Sequence, residues 1–376
     1  MKGSKDMKRI ILLILSITLL VSLSACGQSS DITFPFILST ANDYPLLKYS
    51  TKSCTVSTLC PDVYCDHNSS GANEDLCEFS SVLGYAFSGD RMYYIRYPIY
   101  KEDGLYAHLK YYNYVTGEIC LIRESEYISD PFYDHGYLYF WEQFAKTDDE
   151  IADKKMHLYR YNVKTGGITR LTDASTCYGG ERFNGMMLPR IVHADKKHFY
   201  IVSYPEYYRA DHDLDKIESI TPADFPKDVL VELADQQYLL NGFLYSIPDG
   251  TNTLLQKDTR TGESVTIAEA AVSFVMDESA LYYQPRYEEA EAYEGWYNRS
   301  HGQIVRYDLN TGEHSLILDR PEVHLSSRMQ VSDGVLMVQL YGYTTDAHGE
   351  ERYDVLPDAL MYKDGVWVDV VYQFLR

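Results

Sequence analysis

Short apolar or Tyr-rich runs, separated by polar turn residues, follow one another through residues 34–376. No stretch longer than about ten residues carries helical, period-3.6 patterning. Tyr, Val, Ile and Phe, which dominate the runs, fit a pleated, half-buried surface. These positions predict an all-β chain, and one module recurs in it: a strand, a Thr-Gly turn, then a second strand. Clear copies are Tyr111 to Gly117, Tyr159 to Gly166, Gln256 to Gly262 and Val305 to Gly312. The glycines of successive copies lie 49, 96 and 50 residues apart, so the middle gap spans two periods of about 48.

A worn copy is therefore expected near residue 214, where Asp211-His212-Asp213-Leu214-Asp215 reads as a solvated turn. Further copies lie at Leu360 to Trp367 and, with Cys54 in place of the glycine, at Lys48 to Val56. A second turn series precedes most hairpins, at Ser88-Gly89-Asp90, Asp134-His135-Gly136, Ala194-Asp195-Lys196, Asn241-Gly242, Asp277-Glu278-Ser279 and Ser332-Asp333-Gly334. Each period then holds two hairpins, or four strands, the size of a propeller blade. A four-stranded blade cannot bury both faces alone, so blades stack around an axis. Residues 34–376 are expected to form a β-propeller, with seven blades as the first count. Six blades plus an N-terminal hairpin is the alternative, and a pair of β-sandwiches fits the period less well. The closing residues Val370 to Leu375 are candidates to complete the first blade.

The N-terminus follows a different rule. Lys2, Lys5, Lys8 and Arg9 precede an uncharged stretch, Ile10 to Leu23, of 14 residues. That is shorter than the roughly 20 apolar residues a membrane span requires and has the layout of a secretion signal. It ends in Leu23-Ser24-Ala25-Cys26-Gly27, which resembles the lipobox of bacterial lipoproteins. The resemblance implies cleavage after residue 25, acylation of Cys26 with diacylglycerol and palmitate-type chains, and a tether over 26–33. The chain is thus expected at the cell membrane, lipid-anchored on the extracellular face.

The formal charge of the whole chain is -21, and residues 1–25 hold more bases than acids, so their removal makes it more acidic. Phosphate binding along a nucleic acid needs clustered Lys and Arg, so no nucleic acid partner is expected. Connections between second and third strands read as long, at 98–108, 143–156, 204–213, 286–302 and 342–358, and would cluster on one face of the disk. Binding usually resides on such loops. The densest is aromatic and acidic, with Tyr287, Tyr293, Trp296 and Tyr297 among Glu residues. Flat rings with a polar edge suit a sugar or a peptide, and the bland alternative is a solvated loop with its rings tucked onto a blade.

Four of the seven cysteines fall at Cys54, Cys60, Cys65 and Cys77. Cys60, Cys65, His67 and Cys77 match the donor set of a tetrahedral structural metal site, such as zinc. An oxidising compartment and an even number of remaining cysteines equally allow disulfides. No nucleophile elbow, zinc-protease helix, phosphate loop or dinucleotide fingerprint occurs, and no catalytic residue is assigned.

The lipobox, the Tyr-x-x-x-Thr-Gly hairpins and the Cys-x4-Cys-x-His element together resemble a group of Tyr-rich propeller lipoproteins of Gram-positive bacteria. The blades are more faintly similar to TolB-type and prolyl-oligopeptidase-type propellers. The resemblance implies fold and location. It leaves two readings of function: a monomeric, non-catalytic binding or scaffolding lipoprotein that holds a glycan, peptide or partner protein, and an extracytoplasmic polysaccharide lyase or hydrolase.

Overall fold

The computed structural model of the protein describes residues 33–36, 47–50, 55–60, 65, 77–79, 82–101, 104–129, 131–144, 155–171, 175–176, 189–203, 205–234, 236–286, 302–332, 334–345 and 351–372. Among them the one helical element is a 3-10 turn at Pro222–Asp224. No helix among them is long and apolar enough to cross a membrane.

Three strands open the chain: β1 (Thr33–Phe36), β2 (Leu47–Ser50) and β3 (Thr55–Thr58). Sheet I follows as β4 (Val82–Ser88), β5 (Arg91–Lys101), β6 (Gly104–Asn113) and β7 (Ile119–Ser125). Sheet II holds β8 (Tyr127–Ile128), β9 (Phe132–Asp134), β10 (Tyr137–Phe144), β11 (Lys155–Asn162), β12 (Ile168–Arg170) and β13 (Ser175–Thr176). Its β8 and β9 both pair with β10, as one interrupted strand. Sheet III is β14 (Arg190–Ala194), β15 (His198–Ser203), β16 (Glu206–Asp211) and β17 (Ile217–Ile220). Sheet IV has five strands, β18 (Val231–Ala234), β19 (Gln237–Leu240), β20 (Phe243–Ser246), β21 (Leu254–Asp258) and β22 (Ser264–Ala268). Sheet V is β23 (Ala271–Met276), β24 (Ala280–Pro285), β25 (Gln303–Asp308) and β26 (His314–Asp319). Sheet VI is β27 (His324–Ser332), β28 (Val335–Thr345), β29 (Glu351–Lys363) and β30 (Val366–Tyr372).

Each sheet is an antiparallel meander in chain order, and the sheets stack as the blades of a β-propeller. The shared cores follow the same order. Tyr93, Ile95 and Leu109 of sheet I pack with Leu138 and Phe140 of sheet II. The opposite face of sheet II, with Tyr139, Trp141 and Leu158, meets Phe199, Ile201 and Tyr208 of sheet III. Tyr200 and Val202 of sheet III meet Val231, Leu233 and Leu239 of sheet IV. Sheets IV and V share Tyr245, Leu254, Phe274 and Leu281, and sheets V and VI share Tyr282, Ile304, Leu336, Val338 and Leu360. The first strands face the common centre. Arg190 of β14 donates to the Glu232 and Leu233 carbonyls of β18 at 3.4 and 3.1 Å. Tyr85 of β4 lies near both Gln330 of β27 and Glu232 of β18, which brings the first strands of sheets I, IV and VI to one centre.

The first hairpin copy does not found a seventh sheet. β3 runs parallel to β30, with Thr55 opposite Val371 and Val56 opposite Tyr372, so β1 to β3 extend sheet VI outward. Among the described residues the propeller therefore has six sheets and an N-terminal extension, the alternative count rather than seven blades. The physical reason is the open edge of β30, which offers its unpaired backbone groups to β3. Three connections expected to be long are largely strand. Residues 98–108 lie almost wholly in β5 and β6, β16 starts at Glu206, three residues beyond the end of β15, and residues 342–345 and 351–358 belong to β28 and β29.

The recurrent turn has a specific cause. In four copies an Asn or Asp three residues before the Thr accepts two backbone amides on its side-chain oxygen: Asn113 from Val115 and Thr116 at 2.8 and 3.0 Å, with Asn162, Asp258 and Asp308 alike. The glycine amide then returns to the carbonyl of that Asn or Asp, and the glycine stands at φ near +73°, where a Cβ would strain the backbone. The Thr hydroxyl accepts the amide two residues on, as in Glu118 to Thr116 at 3.3 Å. The worn copy is capped differently: the Asp211 carboxylate accepts the amides of Asp215 and Lys216, four and five residues on, and Leu214 takes the positive φ.

Two fold interactions make predictions. Glu142 of β10 is 1% exposed and takes Arg123 of β7 bidentately, at 2.8 and 2.9 Å, across the interface of sheets I and II. Arg123→Met strands a buried carboxylate and should cost about 2–3 kcal/mol by urea unfolding, whereas Arg123→Met with Glu142→Met should cost less than the single change. A double variant weaker than the single one would remove this pair as the inter-blade staple. Asp195 caps the turn before β15. Burial raises its pKa, but the Lys197 and His198 amides and the Tyr200 hydroxyl outweigh it and hold the carboxyl down to about 2, from 3.8. A depressed pKa contributes stability above the unfolded value and loses it as pH falls from about 4 to 2. After discounting for its partial exposure this is about 1 kcal/mol. Asp195→Asn should flatten the stability profile in that window, and parallel profiles would refute the assignment.

Candidate functional site

The chain leaves β3 at Thr58 and enters β4 at Val82, so the intervening segment crosses from the outer edge of sheet VI to the first strand of sheet I. Its described residues are not solvated loop. Leu59, Cys77 and Phe79 are buried against Val82, Met92, Tyr94 and Tyr112 of sheet I, and Cys60 and Cys65 pack beside them. The Phe79 ring lies 5.4 Å from that of Tyr94 and meets Tyr112 edge-on at 5.1 Å. This segment takes the place on sheet I that a neighbouring sheet takes elsewhere. On sheet VI, Met337, Ala359, Met361 and Val370 are also buried, outside the core shared with sheet V.

A polar clamp fixes the segment between Cys77 and Phe79. The Glu78 carboxylate accepts the Tyr94 hydroxyl at 2.7 Å, Lys110 Nζ at 2.7 and 2.9 Å on its two oxygens, and Arg96 at 3.3 Å. All three donors come from β5 and β6, so the middle of sheet I holds the segment. Burial and the Glu78 charge push the Tyr94 hydroxyl far above its ordinary range, which keeps it a donor.

The thiol groups of Cys60, Cys65 and Cys77 all lie within 4.8 Å of one another. A hydrogen bond with Cys60, burial, and the nearby Cys60 and Cys65 groups push the Cys77 thiol far above its ordinary range. The basic side chains close by, Arg96 and Lys110, are turned to Glu78. Three sulfurs so placed can accept one thiophilic cation, or two of them can oxidise to a disulfide. His67, the fourth expected donor, lies outside the described residues, as do Cys26, Tyr287, Tyr293, Trp296 and Tyr297.

On the side where β5 and β6 join, sequence reasoning missed a second feature. Tyr100 and Leu105 are directly paired across the hairpin tip and stand 58% and 44% exposed. Behind them the hairpin is stiffened: Lys101 covers the Tyr106 ring at 4.8 Å and, with His108, pairs with Glu124. The signal lay in the apolar residues Tyr100 and Leu105 themselves, within a stretch that reads as a connection. Glu78, Glu124 and Glu142 are each neutralised by basic side chains, so they are structural carboxylates here.

No known protein-family profile matches the sequence. No curated protein is similar to it in sequence. Among solved structures, an acylaminoacyl peptidase in complex with a chloromethyl ketone aligns over 90% of this chain and 52% of its own, at 11% identity and a TM-score of 0.45. This chain thus spans about half the length of that peptidase. The β-propeller domain of the Trilobed protease from Pyrococcus furiosus aligns over 90% of this chain and 95% of its own, at 13% identity and a TM-score of 0.44. An oligogalacturonate lyase in complex with manganese aligns over 74% and 78%, at 13% identity and a TM-score of 0.40.

The clamp makes a prediction. Glu78→Gln leaves Arg96 and Lys110 without their anion and should release the Cys77 to Phe79 segment. Amide hydrogen exchange there should rise roughly tenfold while sheets II to V keep their protection. Unchanged exchange would show that the apolar contacts alone hold it.

Proposed function

We propose that the chain is a lipoprotein anchored through Cys26 to the extracellular face of the membrane, which binds or scaffolds without catalysis through the long-loop face of its propeller. Of the ligand classes open from the sequence, glycan, peptide and partner protein, the reading favoured is a polypeptide, as peptide or folded protein. The observation that carries it is the exposed, cross-strand Tyr100 and Leu105 pair of the β5–β6 hairpin. An aromatic ring beside a branched aliphatic chain gains by burying apolar area, whereas a sugar ring favours flat aromatic faces. The acidic chain, at -21, excludes polyanions and suits a neutral or basic partner.

The anchor rests on the sequence from Lys2 to Gly27, and the Tyr287 to Tyr297 loop stays a proposed part of the same face.

The test uses the full chain in detergent, cross-linked in cell envelope, with Tyr100→Ser and Leu105→Ser combined. Wild-type protein should capture a discrete polypeptide, and the double variant about tenfold less of it or lower still, because two buried apolar side chains contribute at least that much. Equal capture by the variant, or retention by a glycan array that the variant leaves unchanged, would refute the polypeptide reading. Turnover of an envelope polysaccharide by the purified chain would refute the non-catalytic one.

A further inference from the structure

We propose that Cys60, Cys65 and Cys77 bind one thiophilic divalent cation, zinc in its chemistry, which clasps the N-terminal extension of sheet VI to sheet I. The inference is independent of the ligand reading, because it concerns how the ring is closed rather than what the long-loop face holds.

Three observations carry it. The first is the mutual approach of three sulfurs within 4.8 Å. A tetrahedral ion with bonds to sulfur of about 2.3 Å holds its ligands about 3.8 Å apart, so the cluster sits close to the spacing an ion imposes. A disulfide joins two cysteines and gives no reason for a third to converge. The second is position. Cys60 stands two residues beyond β3 and Cys77 five before β4, so an ion shared between them ties the end of the N-terminal extension to the chain that enters sheet I. The third is the surroundings. Leu59, Cys77, Phe79 and Val82 supply a small buried apolar patch, and a segment with so few apolar residues needs a staple to hold one conformation. The neighbouring cations are engaged by Glu78, so the protein supplies no counter-charge for thiolates at this point. Binding displaces one proton from each thiol and forms three sulfur–metal bonds, with water in the fourth position of the tetrahedron; no redox change occurs, so the site needs no oxidant or reductant.

The full chain, purified in detergent with neither chelator nor added metal, is the material for the test. Elemental analysis should find about one zinc per chain. Cys60→Ser, Cys65→Ser and Cys77→Ser should each lower this to about a tenth or below, and Cys120→Ser on β7 should leave it unchanged. Since a serine at buried Cys77 can impair folding, wild-type protein exchanged into cobalt(II) gives a second readout. It should show the intense absorption of a tetrahedral thiolate–cobalt centre and lose it on addition of zinc. Chelation should raise alkylation of all three cysteines together. Absence of metal, with intact-mass and peptide analysis showing two of the three cysteines joined by a disulfide, would overturn the proposal. So would an octahedral cobalt spectrum, which signals oxygen ligands.

Discussion

A four-stranded sheet with two apolar faces is unstable alone, and this constraint organises the whole molecule. Sheet II makes the point within one element. Leu138 and Phe140 of β10 turn toward sheet I, while Tyr139 and Trp141, the alternate residues, turn toward sheet III. Burial on both sides removes the usual polar face of an antiparallel sheet, and only a stack that returns on itself leaves no sheet with a bare side. Five of the six interfaces meet that demand with sheet against sheet. At the sixth, the segment carrying Leu59, Cys77 and Phe79 is laid on sheet I, and the Glu78 clamp holds it there. Loop closure is costly for a long segment with few apolar anchors, which is why the polar clamp and the convergent thiols fall here and nowhere else among the described residues.

The fold was legible in the sequence because its period is written in the turns. Thr116, Thr165, Thr261 and Thr311 each sit beside a glycine in the left-handed region, so the spacing of about 48 survives even where strands vary. The cap at Asn113, Asn162, Asp258 and Asp308 was present in the same copies, and only the hydrogen bonds show why the residue three before Thr is always Asn or Asp. Blade count was less legible. The Lys48 to Val56 copy resembles the others, but Cys54 stands 63 residues before Gly117 rather than about 48, and the parallel pairing of β3 with β30 is a tertiary choice. Strand length was misjudged for a similar reason: β5 and β6 continue past the point where turn counting would end them.

The site was legible in its residues and not in its arrangement. Cysteine spacing nominated Cys60, Cys65 and Cys77, and folding brings their sulfurs together. Glu78 gave no signal, because its partners Tyr94, Arg96 and Lys110 are 16 to 32 residues away and distinct only once β5 and β6 are paired. The Glu142 and Arg123 pair was hidden in the same way, as a bond between two sheets. Charge plays opposite parts at the two levels. Inside, among the described residues, the buried Glu142 carboxylate has a fixed cation in Arg123. Outside, excess acid repels polyanions, and Tyr100 and Leu105 are among the exposed apolar side chains.

Closure of the ring is the claim on which the rest stands, and it is tested most directly by the distance between the first and last sheets. With Tyr85→Cys and Gln330→Cys introduced together, a short bismaleimide should join β4 to β27 within single chains, identified by mass spectrometry of the linked peptides. A control pair, Tyr85→Cys with Val265→Cys on the exposed outer strand of sheet IV, should not be joined. A chain in which the 85 and 330 positions fail to link, or link no faster than the control, would have first and last sheets apart and would contradict the closed propeller.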